Sequence, residues 1–543
     1  MYKQVLDPVG HSLAWSSLVA ALPLVVLFVL LGVVRMRAWT ASLVALAVAL
    51  VIAIAVYGMP VGQSLLAGSE GAAFGFFPIL WIVINAIWVY TMTVQTGHFD
   101  VLRRSFGRVS DDQRIQAIII AFSFGALMEA LAGFGTPVAV TSVMLIALGF
   151  QPLKAAVLAL TANTAPVAFG GMATPIITLG KVTSLSSDTL GSMVGRQTPI
   201  LALFVPLVLV FIVDGRRGLR ETWPVAVVCG VAFAVAQYVT SNFISVPLAD
   251  VVASLVSAAV VVLYVRFQPA AARPVVVAGG SVDEPTPEFA ARVAQSDSRA
   301  DVIRAYAPYA IIILVFVLGQ INAIKTQLNR ATHVIAWPGL HLVSAKGKPL
   351  SLAAFTLNYL TSPGTQMLIA GLLTMLVLRV SPGRALRAYG ATLVQLRWAI
   401  LTVMAVLALA FVMNGSGQTV TLGNWMAGAG GAFALLSPIL GWLGVAVTGS
   451  DTSSNSLFGA LQVTAAGKAG LSPVLMAAAN SSGGVLGKMI SPQNLAIAAA
   501  AVGLNGKEGD IFRQVILWSL VFLAGMCLLA GLQSTGVLSW MVP

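Results

Sequence analysis

About a dozen apolar runs of 16 to 25 residues recur along this chain. At 1.5 Å of rise per residue, each is long enough to cross roughly 30 Å of hydrocarbon as a helix. Backbone polar groups find no partners in lipid, so only helices and closed barrels can span it. The alternation of barrel strands is absent here. The expectation is an all-α polytopic membrane protein of about 12 transmembrane helices. The spans read as 15–34, 39–57, 75–96, 155–180, 198–213, 223–241, 246–265, 305–324, 365–380, 392–413, 471–500 and 514–532. Two further apolar regions, 115–150 and 425–468, each hold two limbs around a polar or Gly-rich tip and read as re-entrant hairpins.

Charge supports this layout. Only 9% of the residues are charged, against roughly 25% in soluble domains. The net charge of +12 would suggest nucleic acid in a soluble protein. Here the basic residues sit in short loops between apolar runs, where they set orientation, and nucleic acid is excluded as a partner. With the N-terminus outside and both hairpins returning to the side they left, 21 Lys and Arg fall inside and eight outside. Converting both hairpins to full crossings leaves the later loops unchanged, so 14 spans stays open. The first run, 14–34, reads as a retained helix. Cys229 and Cys527 read as buried packing residues, and most tryptophans, Trp15, Trp39, Trp88 and Trp442 among them, as interfacial anchors. His333 and His341 in the outer loop 325–365 lack a nearby Cys or carboxylate and read as loop residues.

The chain divides into an N-terminal half, 1–265, a cytoplasmic linker, 266–304, rich in Ala, Pro and charge, and a C-terminal half, 305–543. The halves share features in one order. Met172-Ala173-Thr174-Pro175 matches Met489-Ile490-Ser491-Pro492. An Ala-Asn pair lies eleven residues before the Thr or Ser in each, at Asn163 and Asn480. Further upstream, Gly133 to Pro137 aligns with Gly449 to Ser453. One hairpin enters from inside and the other from outside, so the units form an inverted repeat, an arrangement common in secondary transporters. Chance similarity between Gly/Ala-rich helices is the alternative.

Two spans, 155–180 and 471–500, read as broken helices, because Pro and Gly recur mid-span in each. A break exposes N–H groups that attract anions and C=O groups that attract cations. Three ionisable side chains lie within apolar segments: Glu129, Asp451 and Lys488. Such groups are costly in hydrocarbon and mark binding sites or proton paths. Glu129 and Asp451 are the candidate proton carriers, since desolvation of a carboxylate favours its protonated form. Lys488 can attract a substrate carboxylate, or neutralise Asp451 in a purely architectural pair. Around them Thr136, Asn163, Thr164, Thr174, Thr452, Ser453, Ser454, Asn455, Asn480, Ser481, Ser491 and Gln493 can donate to a small oxyanion. The chain carries no HExxH, Walker A or GxSxG motif and no Cys cluster, so neither an enzyme nor a cofactor is expected. A gradient-driven carrier of a small anion is the first reading, with H⁺ and Na⁺ both open as the coupling ion. An anion channel is the second.

Several runs closely resemble the L-lactate permease family of bacterial inner-membrane carriers. They are Glu129 to Pro137, Asn163 to Gly170, Glu221 to Pro224, Ala236 to Tyr238 with Ser241 to Phe243, Gly441 to Gly444, Thr448 to Asn455, and Met489 to Gln493. They span most of the chain in family order, with 266–365 the least covered. The resemblance implies uptake of lactate, and of D-lactate and glycolate, in symport with protons across the inner membrane.

Overall fold

The computed structural model describes residues 1–107, 109–110, 112–133, 135–267 and 297–543. The chain is a polytopic helical membrane protein. Among the described residues ten helices are long and apolar enough to cross a bilayer, or eleven when Pro152–Ala162 and Val167–Thr183, bent by 66°, count as one span. That is fewer than the dozen expected, partly for a backbone reason. The expected spans 198–213 and 223–241 fall in one run, Thr198–Val239, turned within it at Asp214 and Gly215, where Gly215 has φ 58°. In addition, Pro363–Val377, where 365–380 was expected, has only 15 residues. The span expected at 75–96 is preceded by a further helix, Val61–Phe74, and the chain kinks between that helix and Trp81–Gln95 at Phe77 (φ −128°, ψ 124°).

Most of the expected linker lies outside the described residues. Its ends are helical: Ala249–Phe267 runs up to it, and Arg299–Gln320 starts behind Ser298, whose side chain caps Asp301 N. The outer loop contributes the β-structure. His333–Ala336 pairs antiparallel with Ala354–Leu357, and Tyr2–Lys3 pairs parallel with Leu342–Val343.

Close packing depends on small residues. Lipid tails are as apolar as leucine, so helices associate in a membrane through close approach and hydrogen bonds. A Cβ at Gly441 would collide with the Asn480 carbonyl, one at Gly483 with the Pro438 carbonyl, and one at Gly487 with the Trp442 carbonyl. These three glycines bring Phe433–Thr448 and Pro473–Gly487 together along their length. Gly71 does the same for Val61–Phe74 against Pro382–Ser416. Gly364 and Gly371 receive Trp81 and Trp88. Trp88, expected at an interface, is 4% exposed and donates its indole N–H to the Ala385 carbonyl at 2.9 Å. Trp88 lies mid-span, and its indole serves a helix–helix contact in place of an interfacial anchor.

Candidate functional site

Both hairpins form. The first has limbs Gln113–Leu131 and Thr136–Ala147 around Gly133 and Gly135. The second has Phe433–Thr448 and Asp451–Ala469 around Gly449 and Ser450. Gly135 (φ 82°) and Gly449 (φ 75°) occupy the left-handed region that each reversal requires. Both expected breaks are present too. After Pro152–Ala162 the chain passes through a short 3₁₀ turn, Val167–Phe169, into Gly170–Thr183. After Pro473–Gly487 it passes through Lys488–Ile490 into Pro492–Ala501. The first break is strained. Gly171, Met172 and Ala173 have φ of 52°, 57° and 59°, and each non-glycine there costs roughly 1–2 kcal/mol.

Tips and breaks meet at one cavity of about 590 Å³. Three helices begin at its wall: Asp451–Ala469, Pro492–Ala501, and the right-handed part of Gly170–Thr183, which starts at Thr174 after the turn through Gly171, Met172 and Ala173. Their N-terminal N–H groups and dipoles favour an anion there. Ser450 caps the second of these helices by accepting from Ser453 N, and Ser491 caps the third by accepting from Asn494 N.

The charged groups are arranged across the two halves. Lys488 Nζ donates to Glu129 Oε1 at 2.6 Å, and both side chains are buried. Asn163 Nδ2 donates to the other oxygen of Glu129 at 2.9 Å. Gly170 permits this arrangement, because a Cβ there would strike Glu129 Oε1. The Lys488–Asp451 pair considered from the sequence does not form. Asp451 Oδ2 instead accepts from Ser481 Oγ and from Asn455 Nδ2, the latter at 3.3 Å. Asp451 Oδ1 is buried beside Gly484 and has no hydrogen-bond partner among the described residues.

Of the residues singled out in the sequence, Glu129, Thr174, Asp451, Thr452, Ser453, Lys488 and Gln493 line the cavity. Eight do not. Asn163 is held by Glu129 and Ser481 by Asp451. Asn480 donates to Asn455 Oδ1 and accepts from Gln462 Nε2, while Asn455 also reaches the Pro175 carbonyl. Thr164 bonds back to Thr161, Ser454 to Gly441 and Ser491 to Lys488. Thr136 opens its helix away from the cavity lining. The reason is common to most of them: a buried hydroxyl or amide must be paired, and in these the nearest partner is protein.

The structure also adds residues. Thr448, Ser450 and Asn494 lie inside the two polar segments and line the cavity with their neighbours. Arg37, Trp39, Trp398 and Thr402 also line it, and Trp39 and Trp398 stack at 5.0 Å. Trp39 was expected only as an anchor. Glu70 and Asp250 are fully buried carboxylates beyond the three ionisable groups expected. Each is a lone charge near a helix start or in a helix not read as a span, where neither periodicity nor spacing marks it.

The family model described as L-lactate permease matches residues 16–536. The L-lactate permease of Escherichia coli (strain K12) is 42% identical over 557 residues, covering 100% of both chains. That of Bacillus subtilis (strain 168) is 40% identical over 567 residues, again covering 100% of both. The glycolate permease GlcA of Escherichia coli (strain K12) is 40% identical over 556 residues, or 99% of each chain. Among solved structures, Neisseria gonorrhoeae MtrF superposes with a TM-score of 0.47 at 12% identity, over 86% of this chain and 82% of that one. The likeness is too loose to bear on the site.

Proposed function

The chain belongs to the L-lactate permease family, and from that premise we propose that it takes up lactate, with glycolate as a second substrate, by proton symport. It is a multi-pass protein of the bacterial inner membrane. The observation that carries the proposal is the single cavity in which both tips and both breaks meet around Glu129, Lys488 and Asp451. The matching order of hairpin and broken helix in the two halves supports an inverted repeat, an arrangement whose binding sites form where the repeats meet.

The coupling follows from the charges. With Glu129 ionised, its carboxylate occupies Lys488. A proton on Glu129 weakens that pair and leaves the ammonium facing the cavity. A lactate carboxylate then takes the place of the lost partner, helped by the three helix N-termini. The buried cation is paired in either state, which avoids the large cost of an unpaired charge. One proton and one anion therefore enter together. Asp451, with one oxygen unpartnered at the cavity wall, is the second candidate for the proton.

Of the lining residues, Arg37 and Trp398 are exposed, and they lie toward the side that the loop charges assign to the cytoplasm. This conformation reads as inward-facing. Labelled lactate uptake by the purified protein in proteoliposomes, with an imposed pH gradient, tests the function. Accumulation should follow the gradient and collapse with a protonophore. Accumulation that ignores pH but requires Na⁺ would overturn the proton assignment.

A further inference from the structure

A second large cavity, of about 690 Å³, lies at the other end of the same helices. Three elements line both. Gly170–Thr183 gives Thr174 and Pro175 to the central cavity and Lys181 to the second one. Asp451–Ala469 gives Asp451 to Ser453 to the first and Ala460 to Lys468 to the second. Pro382–Ser416 gives Trp398 to Val403 to the first, then Phe411 and Asn414 to the second. The separation along each helix is six to eight residues, or roughly 9–12 Å at 1.5 Å per residue. The barrier between the cavities is therefore about two helical turns thick. Gly459 packs within it, where an added Cβ would collide with Leu179.

The second cavity has its own electrostatic character. Its lining includes Lys181, Lys346 and Lys468 and, among the described residues, no acidic residue. By the loop charges it faces outside. Lys181, at its inner end, donates to the Ala354 carbonyl at 2.8 Å. An ammonium has three donors; this one also lies 5.7 Å from the centre of the Phe74 ring, and among the described residues no carboxylate forms an ion pair with it. It interacts electrostatically with Glu70, which is fully buried and not part of the lining. A concave, water-accessible site lined by one sign of charge concentrates oppositely charged solutes.

Resting on the proposed function, we infer that this outer cavity is an entry subsite for the substrate, holding a small monocarboxylate on Lys181 before the barrier opens. The rim lysines, Lys346 and Lys468, draw the anion in. Lys181 hands it inward along the helix whose other end lines the central site. The charge distribution suits a lone carboxylate and gives no basis for holding a cation there.

The test uses the full-length protein. Lys181→Gln should raise KM for lactate about fivefold or more at low ionic strength, with the maximal rate within about twofold. Lys181→Arg should restore KM, and added salt should raise KM in the unmodified protein, because the exposed rim charges of Lys346 and Lys468 are screened. If Lys181→Gln does not fold, Lys346→Gln combined with Lys468→Gln should shift KM in the same direction. Val463→Cys, at the cavity wall, should react with a membrane-impermeant maleimide added outside intact cells, and lactate should slow the reaction. An unchanged KM in the variant tested, or labelling of Val463→Cys from the cytoplasmic side alone, overturns the subsite. Absence of lactate uptake by the unmodified protein would instead remove the function. Labelling, and its slowing by other small carboxylates, would then decide the cavity alone.

Discussion

The ion pair between Glu129 and Lys488 joins residues 359 apart in sequence, and its energetics are testable one side chain at a time. Removing one member of a buried pair leaves an uncompensated charge and costs about 3–5 kcal/mol. Lys488→Met alone should therefore lower the melting temperature in detergent sharply. Lys488→Met combined with Glu129→Gln should recover much of the loss, since neither charge then remains. Equal losses in the single and double variants would show that the pair is not what stabilises the break. Function separates the two carboxylates. If Glu129 carries the proton, Glu129→Gln should exchange lactate across the membrane yet fail to accumulate it against a pH gradient. If Asp451→Asn shows that pattern and Glu129→Gln does not, the proton belongs to Asp451.

Helix breaks and tips are where the backbone departs from its preferred geometry. Ala173 sits at φ 59° in the first break, a conformation that glycine adopts at no steric cost. Ala173→Gly should stabilise the folded protein by about 1 kcal/mol, read as a higher midpoint in thermal unfolding. A lower midpoint would mean that the methyl group's packing outweighs the strain. Gly170→Ala should act in the opposite sense, because its Cβ would strike the Glu129 carboxylate. Lactate binding should weaken at least tenfold, measured by protection from heat or by direct binding. The breaks themselves were legible in the sequence, because Pro175 and Pro492 lack the N–H that a helix interior needs and Gly170, Gly171 and Gly487 weaken the turns beside them. The left-handed turn through Met172 and Ala173 was not legible. No local propensity favours it, and it persists because the surrounding helices hold it.

At the scale of the molecule, the question is which side reaches the central site. Thr402→Cys should react with an impermeant thiol reagent in inside-out vesicles and much less in intact cells, and lactate should protect it. Equal reactivity from both sides would point to a pore in place of a carrier. Gly459→Val should wedge Leu179 and disturb closure of the outer barrier. It should slow uptake and raise outside labelling of Thr402→Cys. If that labelling stays unchanged, the barrier lies elsewhere.

Lipid imposes strict rules on a chain, and those rules made the class of this protein readable from residue order. Apolar runs of bilayer length, basic loops on one side, and polar tips flanked by apolar limbs leave few arrangements that satisfy the backbone. The same reasoning marked Glu129, Asp451 and Lys488, because a charge at that depth needs a purpose. Pairing was a different matter. Nothing in the spacing distinguishes Glu129 from Asp451 as the partner of Lys488, since the choice depends on how two distant halves pack. Packing also assigned Asn455, Asn480 and Ser481 to the frame and Thr452, Ser453 and Gln493 to the cavity. A polar side chain bonds to whatever lies within about 3 Å, and only the folded chain says what that is.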